Sequence, residues 1–160
     1  MILNKLKIWS VTDGSEGMMS QVNGLSNHIS SNILEIKTDV IFPWSKLQPG
    51  LLPPYNWIFK NKIPSNDQPD CLISCGRKSV YFSIYCKKKF KNLINIHIQN
   101  PRISSKNFNY IISPNHDSFY GVNVINSVGA LHQFQKSNIK SNPNLLTCIV
   151  GGDNQHYNFS

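Results

Sequence analysis

Apolar and polar positions along the chain alternate between two periods, and the switches between them mark out the elements. Leu6–Val11 alternates as a strand does. After a glycine loop, Met18, Val22, Leu25 and Ile29 recur at helical spacing, which predicts an amphipathic helix with one face on a core. Ile33–Thr38 reads as the next strand, so the first forty residues form a β-α-β unit. Asp70–Ser74 predicts a buried strand, and Arg77–Phe90 a helix with Val80, Tyr81, Ile84 and Tyr85 inward. Leu93–Ile98, Phe108–Ile112, Val122–Ile125 and Leu145–Val150 follow as strands. Strands alternating with helices predict an α/β fold with a Rossmann-like, doubly wound, mostly parallel sheet.

Between Val40 and Ile63 the periodicity fails. Pro43, Pro49, Pro53, Pro54 and Pro64 exclude one continuous helix and leave room for a short one from Pro54 to Lys60. The same stretch holds Phe42, Trp44, Leu51, Leu52, Tyr55, Trp57, Ile58 and Phe59. Two readings stand: a lid over the core, or a patch for a lipid or lipid-linked substrate, helped by Lys46, Lys60 and Lys62.

In a parallel sheet, ligands bind beyond the carboxyl ends of the strands. Three glycine junctions follow strands: Thr12-Asp13-Gly14-Ser15-Glu16-Gly17, Cys75-Gly76-Arg77-Lys78-Ser79 and Val150-Gly151-Gly152-Asp153-Asn154. Glycine lets backbone N–H groups face a ligand, and a helix N-terminus attracts anions. Arg77 and Lys78 at such a terminus suit a phosphate or carboxylate; the alternative is that both are merely solvated. Asn100-Pro101-Arg102 and Pro114-Asn115-His116-Asp117 also follow strands and are predicted to share that edge. None of the junctions is a G-x-G-x-x-G fingerprint or a complete P-loop, and no G-x-S-x-G elbow occurs.

A length of 160 residues suits one domain with a real core, and 40% apolar content excludes a disordered chain. No apolar run reaches the roughly 18 residues of a membrane span. The N-terminus reads as a first strand, without the h-region of a signal peptide. Cys71, Cys75, Cys86 and Cys148 lie in apolar segments with no C-x-x-C pair, which predicts reduced, buried thiols in a cytoplasmic protein. The net charge of +8 rests on 14 Lys and only 2 Arg in a chain rich in Asn, Ile and Ser. Basic residues cluster only at Lys87-Lys88-Lys89-Phe90-Lys91, where they complement a helix C-terminus. No nucleic-acid partner is expected, because arginine and aromatics are not interleaved.

Of the histidines, His28 reads as a helix-surface residue and His97 as a sheet residue satisfied by its neighbours. His116 stands beside Asp117, and a carboxylate next to an imidazole can orient or charge it for acid–base chemistry. His132 follows Gly129-Ala130-Leu131 at the start of a further helix. No metal-ligand spacing is present, so no metal is expected.

Taken together and in order, several blocks resemble the mitochondrial fission ELM family, found in plants and bacteria. They are Thr12–Gly17 with Gln21, Ser74-Cys75-Gly76-Arg77, Gln99-Asn100-Pro101-Arg102, Pro114–Asp117, Gly121-Val122-Asn123-Val124, Gly129–His132 and Val150–Tyr157. The family is similar to GT-B glycosyltransferases, in which two Rossmann-like domains face each other across a cleft. Bacterial members are described as predicted nucleoside-diphosphate-sugar epimerases. Such an epimerase would carry G-x-x-G-x-x-G and Y-x-x-x-K at places where this chain has neither.

The resemblance implies that residues 1–143 form an N-terminal, acceptor-side domain. Residues 144–160 would then open a second domain of which the chain holds only the first strand and loop, with Gly151, Gly152 and His156. It implies acceptor binding by Asp13, Gly14, Gly17, Gln21, Gly76, Arg77, Asn100, Arg102 and His132, with His116, oriented by Asp117, as the base. The acceptor would be a sugar or a lipid-linked group. A nucleotide-sugar donor is expected only in the full-length protein, and the chain alone is expected to be inactive. The setting this implies is bacterial cell-envelope glycoconjugate synthesis, in the cytoplasm and peripheral at an anionic inner-membrane surface. The competing expectation is a non-enzymatic adaptor recruiting a membrane-remodelling partner, as plant members are implicated in doing; its docking surface would be the Phe42–Phe59 aromatics.

Overall fold

The computed structural model describes residues 5–64, 67–134 and 142–148. Its strands are β1 (Lys7–Thr12), β2 (Asn32–Lys37), β3 (Cys71–Cys75), β4 (Ile94–Ile98), β5 (Tyr110–Pro114) and β6 (Val124–Ser127). Two helices accompany them, α1 (Glu16–Ile29) and α2 (Arg77–Lys89). All five strand pairings are parallel, in the order β2-β1-β3-β4-β5-β6. The predicted α/β, Rossmann-like fold is therefore the observed one, and every β-to-loop junction leaves from one edge.

Alternation sorts the core into two layers. Ile8, Cys71, Ile73, Cys75 and Ile98 face α1, where Val22 is buried and Met18, Leu25 and Ile29 pack beside it. These are the positions whose spacing predicted the helix. Trp9, Val11 and Leu72 face α2, which sends in Tyr81, Phe82 and Cys86. A third cluster joins Val80 and Ile84 of α2 to Phe108 and Ile111. The β4–β5 and β5–β6 connections run on this second face as single 3₁₀ turns, Ser105–Asn107 and Asn115–Asp117. Buried Asn95 holds the first of them by donating to Ser83 Oγ (3.2 Å) and to the Asn107 carbonyl (3.0 Å).

The aromatic segment proves to be both lid and surface. Val40, Trp44, Ile58, Phe59 and Ile63 are buried around Trp9, while Phe42, Leu51, Tyr55 and Trp57 stay exposed. The expected helix over Pro54–Lys60 reduces to one 3₁₀ turn, Asn56–Ile58. A competing contact explains this. Ile58 is drawn into the core, its carbonyl accepts from Ile41 N (2.9 Å), and Val40 and Phe59 form an antiparallel bridge. Asp39 secures the base of the segment, accepting from Lys60 (2.6 Å) and from Lys78 on α2 (2.7 Å).

Three expectations fail. Leu145–Cys148 is not strand: these residues are exposed and pair with no strand among the described residues, and Ile149 and Val150 lie outside them. An apolar run becomes a strand only where a neighbour satisfies its N–H and C=O groups. For the same reason Cys148 is exposed, unlike buried Cys71, Cys75 and Cys86. Finally, Gly129–Phe134 is irregular rather than the start of a helix; its backbone at His132 lies against Gly24 of α1. Among the described residues, no helix is long and apolar enough to cross a membrane.

The hydrogen bonds from Lys60 and then Lys78 hold the Asp39 carboxyl well below the usual carboxylate range. A carboxyl depressed on folding stabilises the fold above its unfolded value and loses that contribution as pH falls. Asp39→Asn should therefore cost about 1 kcal/mol at pH 7. In urea melts the gap to wild type should close as pH drops below about 4.

Candidate functional site

The carboxyl edge is built from the loops after β1, β3, β4 and β5. The first is folded on itself: Gly14 N donates to Thr12 Oγ1 and Ser15 N to Asp13 Oδ1, both at 3.1 Å. Gly76, between β3 and α2, has φ +97°, and a Cβ there would collide with Met18 Sδ. The first two glycine junctions thus close against each other, and the open space lies one strand further along.

That space is a cleft of about 720 Å³ between the α2 N-terminus, the 46–49 turn and the 99–102 loop. Lys46, Gln48, Gly76, Arg77, Gln99, Asn100 and Arg102 line it over an apolar floor of Met18 and Val80, and among the described residues no acidic side chain does. Its cations differ in availability. Arg77 is neither simply solvated nor free for an anion. Its Nη1 donates to the carbonyls of Lys46 (3.0 Å) and Leu47 (3.2 Å), and its Nη2 to that of Ser45. Lys78, next in sequence but not on the cleft wall, is held by Asp39. The side chains of Lys46 and Arg102 meet no protein partner among the described residues, so they are the cleft's free positive charges.

The 99–102 loop has left-handed backbone at two non-glycine residues, Gln99 (φ +79°) and Arg102 (φ +57°). Each such residue costs on the order of 1–3 kcal/mol and persists only where its surroundings impose it. Here Gln99 N donates to the Ile112 carbonyl (2.8 Å), Arg102 N to Asn100 Oδ1 (2.8 Å), and Gln48 Nε2 to the Arg102 carbonyl (2.7 Å). Gln21 Oε1 accepts from Gln99 Nε2 at 3.4 Å from behind.

A second cleft, of about 410 Å³, shares Gln99, Asn100 and Arg102 with the first and reaches His116 and Asp117. His116 Nε2 lies 3.7 Å from Asp117 Oδ1, and its ring is largely open to solvent. Asp117 Oδ2 accepts from Asn100 N and from Ser113 Oγ, both at 3.3 Å. One carboxylate therefore faces the imidazole and also ties the 99–102 loop to β5.

Gly76, Arg77, Asn100, Arg102, His116 and Asp117 are thus brought together along adjoining clefts, with Gln21 one hydrogen bond behind. The remaining site residues lie elsewhere. Gly14 lines a separate cleft of about 340 Å³ with Lys37 and Glu35, and Asp13 is used in its own turn. Gly17 is exposed with open space around it. His132 is exposed, its ring 6.0 Å from Phe134, away from both adjoining clefts. Gly151, Gly152 and His156 lie outside the described residues. Sequence reasoning missed Gln48, whose contact with Arg102 spans 54 residues and has no local signal. It placed Lys46 only beside the aromatics.

It also read His97 as no more than a satisfied sheet residue. His97 is buried and its Nδ1 has a partner in Ser74, but it also lines the larger cleft. Ser74, its register partner on β3, has one hydroxyl proton, which the Ile96 carbonyl accepts at 3.2 Å. With the Ser74 proton assigned to that carbonyl, Ser74 Oγ accepts from His97 Nδ1–H at 2.9 Å, and this assignment makes Nε2 the ring's acceptor. Burial lowers the His97 imidazole from 6.5 to about 3, so the ring is a neutral hydrogen-bonding group. The unfolded chain takes up this proton near pH 6.5 while the folded chain does not, so stability must fall with pH below that point. His97→Gln should flatten the fall, by about 1.4 kcal/mol per pH unit at most, in denaturation curves between pH 6 and pH 4. An unchanged slope would place the titration elsewhere.

A sequence model described as mitochondrial fission ELM1 matches residues 16–160. Among curated proteins, the chain is 29% identical over 116 residues to an uncharacterized protein, RP120, of Rickettsia prowazekii (strain Madrid E). The match takes in 70% of this chain and 32% of that protein, so the chain spans about a third of its relative's length. No solved structure matches.

Proposed function

The chain belongs to the mitochondrial fission ELM1 family, and we propose that it forms the acceptor-side part of a glycosyltransferase-like protein and binds a phosphorylated sugar or lipid-linked acceptor. One observation carries this reading: the larger cleft sets the free cations of Lys46 and Arg102 among the amides of Gln48, Gln99 and Asn100, with no acidic side chain on its walls among the described residues. Cations recognise the phosphate, while amides and a neutral histidine suit hydroxyl groups. The cleft lies beyond the carboxyl ends of parallel strands, where α/β sheets bind ligands.

In the longer proteins of the family, the remaining chain would bind the nucleotide-sugar donor. Transfer then needs a base at the acceptor hydroxyl and groups that stabilise the leaving diphosphate. His116 is assigned the base, because its cleft shares Gln99, Asn100 and Arg102 with the phosphate-binding one and Asp117 faces its ring. The biological setting proposed is glycoconjugate synthesis at a bacterial cell envelope.

Isothermal titration of the chain with a sugar phosphate tests the binding step. Arg102→Ala should weaken binding by about 10- to 100-fold, the scale of one charge-assisted hydrogen bond. Equal affinity in the variant and wild type would sink the reading. In a full-length family member that transfers sugar, replacing the histidine equivalent to His116 with alanine should lower turnover by about 100-fold or more. An unchanged rate would remove it from the mechanism.

A further inference from the structure

The outward side of the 40–64 segment carries more exposed aromatic surface than the core lid requires. Phe42 is 77% exposed, Leu51 67%, Trp57 61% and Tyr55 47%. Tyr55 and Trp57 share one support. Trp57 stands edge-on to buried Trp44 at 5.0 Å and stacks on Tyr55 at 5.8 Å, with 7° between the planes. Trp44 is itself fixed by donating from Nε1 to the Pro53 carbonyl (3.1 Å), two residues beyond Leu51. Phe42 follows Ile41, whose N–H donates to the carbonyl of Ile58, the residue after Trp57.

Charge indicates what these rings meet. From Val40 to Asn66 the sequence has no Asp or Glu but holds Lys46, Lys60 and Lys62. Trp57, Lys60, Lys62 and Lys89 line one surface groove of about 400 Å³. Lys60 is engaged by Asp39, but Lys62 and Lys89 face no carboxylate among the described residues. Rings with an apolar body and a polar tip, flanked by lysines that have no carboxylate partner among the described residues, match the boundary between acyl chains and anionic headgroups. A protein partner could cover the rings alone. The lysine groove at their margin calls for a surface dense in phosphate.

We propose that the exposed side of Phe42–Lys62 docks the protein on anionic lipid bilayers. Phe42, Leu51, Tyr55 and Trp57 enter the headgroup boundary, and Lys62 and Lys89 bind lipid phosphates. The same segment carries Lys46 and Gln48 into the larger cleft, so docking holds the cleft near the lipid surface. That consequence rests on the proposed function; the docking itself does not.

Flotation of the chain with vesicles tests it. The protein should rise with vesicles of phosphatidylcholine containing phosphatidylglycerol, and not with phosphatidylcholine alone. Trp9 and Trp44 are buried, so a blue shift in tryptophan emission on binding reports Trp57. Replacing Tyr55 and Trp57 together by serine should lower partitioning by about tenfold or more. Lys62→Gln and Lys89→Gln change exposed side chains and spare the core; each should lower it by about fivefold. Arg102→Ala should leave vesicle binding intact, which separates docking from the cleft's own ligand. Three results overturn the proposal: no flotation with either vesicle, equal flotation with both, or unchanged partitioning in the aromatic and lysine variants alike. Absence of flotation would leave the rings to a protein partner.

Discussion

Arg77 spends its guanidinium on three backbone carbonyls, those of Ser45, Lys46 and Leu47, and the carboxyl edge of the sheet is organised around that clamp. A turn of the 40–64 segment is thereby fixed to the first residue of α2. Tyr81 adds a hydroxyl bond to the Leu47 carbonyl at 3.2 Å from one helical turn further along. With the turn held, Gln48 can reach the Arg102 carbonyl, and the left-handed 99–102 loop gains a support that its own backbone lacks. The clamp also separates the charges by role. One arginine is consumed in building the cleft wall, which leaves Lys46 and Arg102 as the cations a ligand can reach. A lysine at position 77 would offer one compact ammonium and could not span carbonyls as a planar fork does.

Parallel pairing supplies the frame on which this clamp acts. Because every strand runs the same way, the loops after β1, β3, β4 and β5 all emerge at one edge, however far apart they are in sequence. Gly76 and Met18 close the gap between the first two, which pushes the open space toward β4. There the connections to β5 and β6 are too short for covering helices, and backbone conformation replaces them as the shaping element. Asp117 is the second fixed point: its Oδ2 holds Asn100 N while Oδ1 faces His116. The two ends of the 99–102 loop are thus anchored from opposite sides, one through Gln48 and one through Asp117.

The parts legible in the sequence are those set by local periodicity. Met18, Val22, Leu25 and Ile29 announced α1, and the alternating or continuous apolar runs announced β1 through β6, because burial on a sheet or helix face repeats at a fixed interval. The edge location of Asn100, Arg102, His116 and Asp117 followed from the parallel sheet alone. What stayed hidden depends on contacts across long separations. Nothing near Arg77 reveals that its partners are carbonyls about thirty residues earlier, and nothing near Gln48 points to Arg102. The 40–64 segment has no period, so its division into buried Trp44, Ile58 and Phe59 and exposed Phe42 and Trp57 could not be read from spacing. Leu145–Cys148 misled for the opposite reason: its composition suits a strand, but composition does not provide a neighbouring strand.

The two histidines near the clefts show why position must be judged together with burial. His97 sits at the more enclosed site, yet burial keeps it neutral to about pH 3, so it is poorly suited to take a proton and well suited to receive a hydrogen bond. His116 is open to solvent, and the 3.7 Å gap to Asp117 is longer than a hydrogen bond. Such a gap does not count against a base, because catalytic contacts often tighten only when substrate is bound. The chemistry of the proposed transfer divides along the same line. The enclosed group would receive a hydrogen bond from one hydroxyl of the acceptor without charging, and the open one would take the proton of a second, attacking hydroxyl. A phosphate held at Arg102 would lie on the boundary common to both clefts, because Gln99, Asn100 and Arg102 line each of them.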